Sequence, residues 1–231
     1  MSFMKARPVE RVFAWLGGVA FVGSLGFCAY SYSVRWSVPH RGSSSALAFD
    51  AVLFSVFAMH HSAFARAPVK DWLSRLVPER LLRSVYVWIA SLLLVTVCAA
   101  WMPIGGEVYR HAGWLGVPHA LVQLVGIWLI ARSVRTIDPL DLAGIRRQST
   151  SEGLQIGGPY RLVRHPLYLG WLLAVFGAAL MTADRLAFAA ITTAYLVIAI
   201  PWEERSLRAA FGSEYERYSH LVRWRLVPFV F

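Results

Sequence analysis

The sequence predicts an all-α, polytopic transmembrane helical bundle of about six spans, and three observations carry that prediction. The chain is 57% hydrophobic and only 16% charged. Soluble domains carry about 25% charged residues, so this chain has too little polar surface to cover itself in water. Its apolar residues fall in blocks of roughly the 20 that a helix needs to cross a hydrocarbon core. Its basic residues fall between those blocks, and alternate linkers hold most of them.

The spans run in order along the chain. Val12 to Ser31 has no charged residue, and its apolar run is too long for the core of a signal peptide, with no A-x-A cleavage signal after it. Ala46 to Phe64 contains Asp50, His60 and His61. Ser84 to Met102 and Trp114 to Ile130 are uncharged. Pro166 to Ala183 and Leu186 to Trp202 complete the set, each short by a few residues. The last two are joined by little more than Asp184-Arg185, which makes them a tight antiparallel hairpin.

Charge sets the orientation. Nineteen of the 23 lysines and arginines precede the first span, join the second to the third and the fourth to the fifth, or follow the sixth. The other three linkers hold Arg35, Arg41, Arg110 and Arg185. Positive charge stays on the cytoplasmic side, so both termini are expected in the cytoplasm, of a bacterium at its inner membrane. A net charge of +10 invites a nucleic-acid reading, but no basic helix or zinc-finger pattern accompanies it. Arginines facing anionic lipid account for it.

Cys28 and Cys98 lie inside apolar blocks, form no CxxC pair and read as small filler. No metal is expected, and no His-x-x-His-His pattern occurs among the seven histidines. One membrane domain is expected over 1–231. Residues 1–157 supply N-terminal spans and cytoplasmic linkers, and 158–231 a cofactor-binding hairpin and tail. The long linker carries turn signals at Asp138-Pro139 and Gly157-Gly158-Pro159. The tail from Arg205 to Phe231 mixes Phe211, Tyr215, Tyr218 and Trp224 with arginines, as an interfacial helix would.

The chemically dense stretch runs from Gly158 to Gly170 and includes Tyr160, Arg164, His165, Pro166 and Tyr168. Pro166 suits a first helical turn, which puts Arg164 and His165 at the N-terminus of the fifth span. Free N–H groups, the helix dipole and a guanidinium there favour a carboxylate guest. The sixth span is expected to end at Pro201-Trp202-Glu203-Glu204, returning two carboxylates to the same face. Carboxylates at a helix C-terminus oppose the dipole and call for a cationic partner. S-adenosylmethionine has a carboxylate for the first cluster, and an ammonium, a sulfonium and ribose hydroxyls for the second.

Each element also has a plainer reading. Arg164 and His165 serve as interface anchors, Glu204 pairs with Arg208 at i,i+4, and the tyrosines form an aromatic belt. The convergence of two opposite charge clusters at one end of one hairpin favours the site.

The Arg-His-Pro-x-Tyr-x-Gly element, the Glu203-Glu204 pair and the Phe211-to-Tyr218 segment resemble isoprenylcysteine carboxyl methyltransferases and bacterial phospholipid N-methyltransferases. The resemblance covers 158–218 and implies a helical membrane enzyme whose last hairpin and tail enclose S-adenosylmethionine. By motif it assigns cofactor binding to Arg164, His165, Tyr168, Gly170, Glu203 and Glu204, and Tyr160 falls in the same stretch. Upstream, His61-Ser62 with Ala65-Arg66, Val77-Pro78-Glu79, Arg83 to Val87 and Pro103 to Gly106 are similar to bacterial methanethiol S-methyltransferases and NnrU-type membrane proteins. Met181-Thr182, Thr192 to Tyr195 and Glu203-Glu204-Arg205 continue that likeness. Asp138 to Gln148 matches it only in part.

The resemblance implies an in-line methyl transfer governed by positioning and desolvation, to a small thiol such as methanethiol or to a lipophilic acceptor. A thiol with a pKa of about 8.5 must first ionise. Arg164, or His61 as base, would help it do so. A buried histidine satisfied by a helix carbonyl is the favoured reading of His61 taken alone. Three alternatives stand beside this reading: a prenylcysteine or phospholipid methyltransferase, a reductase on a related fold, for which no G-x-G-x-x-G occurs, and a non-enzymatic NnrU-type protein. Transport would place polar groups at mid-membrane, where Asp50 and Gln123 are the candidates. Oligomeric state is not legible.

Overall fold

The computed structural model describes residues 7–64, 66–135, 140, 143–145 and 153–231. Lys5, Ala65, the Asp138-Pro139 turn, Asp141-Leu142, Arg146 to Gln148 and the Ser149-to-Ser151 run lie outside the described residues. Among the described residues, five helices are long and apolar enough to cross a membrane, and the protein is an integral membrane protein of the all-α class. They are α1 (Pro8–Ser33), α2 (Ala46–Phe64), α4 (Glu79–Ala100), α5 (Gly116–Val134) and α7 (Ala183–Phe211). Shorter helices are α3 (Ala67–Ser74), α6 (Pro166–Phe176) and α8 (Ser213–Leu221). The described residues divide into two compact units, one of 7–105 with 140 and 143–145, the other of 106–135 with 153–231. In the second unit α5 packs against α6.

In the first unit, α1 lies along α4. The Trp88 indole N–H donates to the Phe13 carbonyl at 3.1 Å, and Gly17 leaves room for that ring. Arg80 grips Glu10 with two hydrogen bonds of 3.0 and 2.7 Å. Asp50 is buried on α2 and accepts the Met102 N–H at 2.9 Å just beyond α4. That carboxylate thus meets a backbone donor that lies outside the helical ladder, a structural use for a buried charge.

In the second unit, α5 and α6 run antiparallel with their backbones nearly touching. A Cβ on Gly126 would lie 2.6 Å from the Gly170 carbonyl oxygen, and one on Gly170 would lie 2.7 Å from that of Gly126. Membrane helices associate through such small-residue contacts because lipid supplies no hydrophobic drive between them. Gln123 adds a hydrogen bond to the Ala174 carbonyl at 2.9 Å.

The fifth expected span differs from its prediction. α6 ends at Phe176 after 11 residues, about 17 Å of helix, well short of a bilayer core of about 30 Å. The chain then leaves the helix, and β2 (Leu180–Thr182) pairs antiparallel with β1 (Glu107–Arg110). Non-helical backbone at this depth must be satisfied by protein. The His111 N–H donates to the Ala179 carbonyl at 2.8 Å, the Tyr109 hydroxyl to that of Ala178 at 3.1 Å, and the Ala183 N–H to that of Gly106 at 3.1 Å. Helix and ribbon together run the length of α5. A Cβ on Gly116 would touch Ala179 at one end, and Gly170 meets Ile130 toward the other.

Two boundaries in the last span also move. Asp184 and Arg185 are not the connection but the first turn of α7, capped by the Thr182 side chain, which accepts the Arg185 N–H at 3.3 Å. The Arg185 guanidinium turns back to the Leu180 carbonyl at 2.6 Å. Pro201 does not end the helix. It removes one N–H, but in a membrane no water competes for the remaining bonds, and α7 continues to Phe211. Gly212 then takes a positive φ of 50° and turns the chain into α8.

Candidate active site

The site forms where the chain entering α6 crosses the C-terminal tail. Pro159 and Val163 are buried under a short 3₁₀ turn at Gly158–Arg161. Pro166 disfavours helical backbone at the residue before it, so His165 is non-helical and caps α6 with its carbonyl, which accepts the N–H groups of Tyr168 and Leu169, each at 3.1 Å. The preceding backbone pairs with the tail: Arg164 N–H donates to the Trp224 carbonyl and His165 N–H to the Arg225 carbonyl, both at 2.9 Å.

Arg164 is almost wholly buried, and its guanidinium has several partners. Nε donates to Glu204 Oε1 at 2.7 Å, and one terminal nitrogen reaches the carbonyls of Ser219, Val222 and Arg223 at 3.3, 3.0 and 3.1 Å. The two charge clusters expected at one end of the hairpin do meet. Their first guest is each other.

Glu203 and Glu204 stand inside α7 rather than at its end, so the dipole argument does not apply to them. Their surroundings differ sharply. The Glu204 side chain is 1% exposed and is faced by Arg164, by Arg225 Nε at 3.3 Å and by Arg208 at 3.7 Å. The Glu203 side chain is 45% exposed and accepts the Tyr168 hydroxyl at 2.7 Å. The buried His165 ring lies between them, Nε2 3.5 Å from Glu204 Oε1 and Nδ1 3.6 Å from Glu203 Oε2, and it stacks on Tyr168 at 5.4 Å between centroids.

The tail is more than an interfacial helix. Tyr215 and Tyr218 are buried, ring edge to ring face at 6.0 Å, and the Tyr218 hydroxyl donates to the Tyr160 carbonyl at 2.8 Å. Burial first, then the Glu204 charge, pushes the Tyr215 phenol up to about 12. Burial raises Tyr218 as well. Two buried polar atoms beside Glu204, His165 Nε2 and Tyr215 Oη, make no hydrogen bond, and Glu204 Oε2 is held by ion-pair contacts alone. Such orphans are costly in an apolar interior and suit a site that receives a polar ligand.

Of the expected residues, Tyr160, Arg164, His165, Tyr168, Glu203 and Glu204 fall in this one cluster. Gly170 lies one turn further along α6, at the close contact with Gly126. His61 belongs to the first unit. It is exposed on α2, with Nδ1 2.5 Å from the Tyr86 hydroxyl and its ring stacked on Phe57, so its side-chain partner is a phenol. Sequence reading missed Tyr215, Tyr218 and Arg225 as members of the site. The Phe211-to-Tyr218 resemblance pointed to the tail without assigning its tyrosines, and arginines interleaved with aromatics also describe a surface helix.

A family model for phospholipid methyltransferases matches residues 115–214. Methanethiol S-methyltransferase 2 of Bradyrhizobium diazoefficiens is 37% identical over 92% of this chain and 86% of its own. Methanethiol S-methyltransferase of Crocosphaera subtropica is 36% identical over 80% of this chain and 76% of its own. The protein of that name from Mycobacterium tuberculosis is 35% identical over 89% and 91%. No solved structure matches. With most of its length aligned to these proteins and its hairpin matched by the broader model, the chain belongs to the methanethiol S-methyltransferase family of membrane methyltransferases.

Proposed function

We propose that this methyltransferase takes its methyl group from S-adenosylmethionine and delivers it to a small thiol, with methanethiol the first candidate. The observation that carries the reading is the pairing of Arg164 with Glu204 beside an open Glu203, at the mouth of the motif that resembles known donor sites. The residues present suit the donor. Glu203 offers an accessible carboxylate for its cationic part, and His165 Nε2 and Tyr215 Oη beside Glu204 offer polar contacts still unmade.

When bound, S-adenosylmethionine supplies a methyl group already activated on a sulfonium. The chain's own residues bind and orient. Tyr168 holds the Glu203 carboxylate through its hydroxyl, and His165 presents its ring between the glutamates. Arg164 fixes the tail, Tyr160 is held through its carbonyl by Tyr218, and Gly170 lets α6 close on α5. Arg164 is proposed to lend charge support to the thiolate, and His61, on α2 in the first unit, is kept as a proposed base on its chemistry alone. For His61 to accept at Nε2, Nδ1 must carry the ring proton and donate it to the Tyr86 oxygen.

The relatives named for methanethiol favour the thiol, and the phospholipid methyltransferase model favours a lipid amine as second reading. Methyl transfer is measured with methanethiol, a farnesylated cysteine and phosphatidylethanolamine in parallel. Faster turnover of the thiol is expected. Faster turnover of either lipid removes the thiol assignment and leaves the methyltransferase in place.

A further inference from the structure

The family model stops at residue 214, yet the tail beyond it supplies much of what surrounds the buried carboxylate. The tail approaches from two directions. Its backbone lies against the entry to α6, through the Trp224 and Arg225 carbonyls. Its carbonyls at Ser219, Val222 and Arg223 cover the Arg164 guanidinium. Arg225 contributes to both faces, since its carbonyl takes the His165 N–H while its guanidinium Nε stands 3.3 Å from Glu204 Oε2. That guanidinium also lies over the Phe231 ring at 5.3 Å, and the backbone beyond it folds back, with the Leu226 and Val227 N–H groups donating to the Phe231 carbonyl. Leu226 is buried.

The arrangement has an electrostatic reason. A carboxylate that is 1% exposed needs compensation for its lost water. Arg164 takes Oε1, which leaves Oε2 to Arg225 and, at a longer 3.7 Å, to Arg208. Arg208 lies on the same helix as Glu204, so its contact holds nothing across elements. Arg225 does: it ties the tail to α7 and, through its carbonyl, to the residue whose ring faces both glutamates.

We infer that Arg225 is a positioning residue of the methyl-donor site, holding Glu204 and His165 in place from the tail. The inference rests on the donor-site reading above. It predicts a loss concentrated in donor binding, because no atom of Arg225 need touch the reacting groups.

The test uses the full chain in lipid nanodiscs, as wild type, Arg225→Lys and Arg225→Met. Lysine keeps a charge that reaches one oxygen, which is all Nε does here. Arg225→Met is expected to raise the KM for S-adenosylmethionine about tenfold with kcat changed less than about threefold. Arg225→Lys is expected to recover most of the loss. Amide hydrogen exchange at Arg164 and His165 should quicken in the Met variant and stay near wild type in the Lys variant. An unchanged donor KM in Arg225→Met, or equal losses in both variants, overturns the inference. Should the Met variant not fold, Arg225→Lys decides: a donor KM near wild type upholds the role and a tenfold rise overturns it. A wild-type protein that binds no S-adenosylmethionine removes the donor-site reading instead, and the exchange comparison still tests whether Arg225 holds the tail.

Discussion

Glu203 and Glu204 are chain neighbours on one helix, yet a turn of about 100° between successive residues sends them into opposite environments. Their substitution should separate the two. Glu203→Gln removes an accessible charge, so thermal stability is expected to hold while donor affinity, measured by equilibrium binding, falls several-fold. Glu204→Gln leaves Arg164 buried without its counter-charge. One-sided removal from a buried pair costs about 3–5 kcal/mol, so this variant should melt at lower temperature before any question of affinity arises. Equal melting temperatures for the two would contradict the assignment of separate roles. Neither the separation nor the part of Arg225 was legible in the sequence. The Glu-Glu dipeptide looks symmetric until a helix phase is known, and Arg225 reaches Glu204 across 21 residues through a chain reversal that local pattern does not encode.

At the scale of elements, legibility followed the strength of the local signal. Ala46–Phe64 is the second helix at both ends as read, because a mainly apolar run between a serine cluster and Arg66 leaves little choice. The ribbon was invisible. Its strands have four and three residues, too few for alternation to show, and β2 alone is apolar enough to merge with the helix before it. The apolar run stops at the Pro201-to-Glu204 segment, yet the helix continues past it to Phe211. The close pair Gly126 and Gly170 could be named in the sequence but not matched without the crossing. Gly170→Ala puts a methyl 2.7 Å from a backbone oxygen, which the helices relieve only by separating. Overpacking of this kind costs about 1–3 kcal/mol, and a lower melting temperature in detergent is the expected result. An Ala variant as stable as wild type would mean that the two helices part without cost.

For the whole molecule, five long apolar helices and one helix-plus-ribbon of matching reach among the described residues make six candidate passes. An even count agrees with the proposal, from the distribution of arginine and lysine, that both termini face the cytoplasm. Reporter fusions at each end should both read cytoplasmic, and opposite readings would require one pass fewer.

The ribbon has one more consequence, for which lengths the chain tolerates. A helix that loses a residue at its frayed end loses little. Between Phe176 and Ala183 there is no such slack, because β2 runs directly into the Thr182 cap of α7. One residue inserted there would either slip the pairing and turn each side chain of β2 to the other face, or rotate α7 by about 100°. Rotation would carry Glu204 away from Arg164, although the insertion lies some six turns of helix away. Among variants that differ only in length, insertions and deletions at 177–182 should thus be far scarcer than in the loop preceding α2, where no helix that bears on the donor site depends on the count.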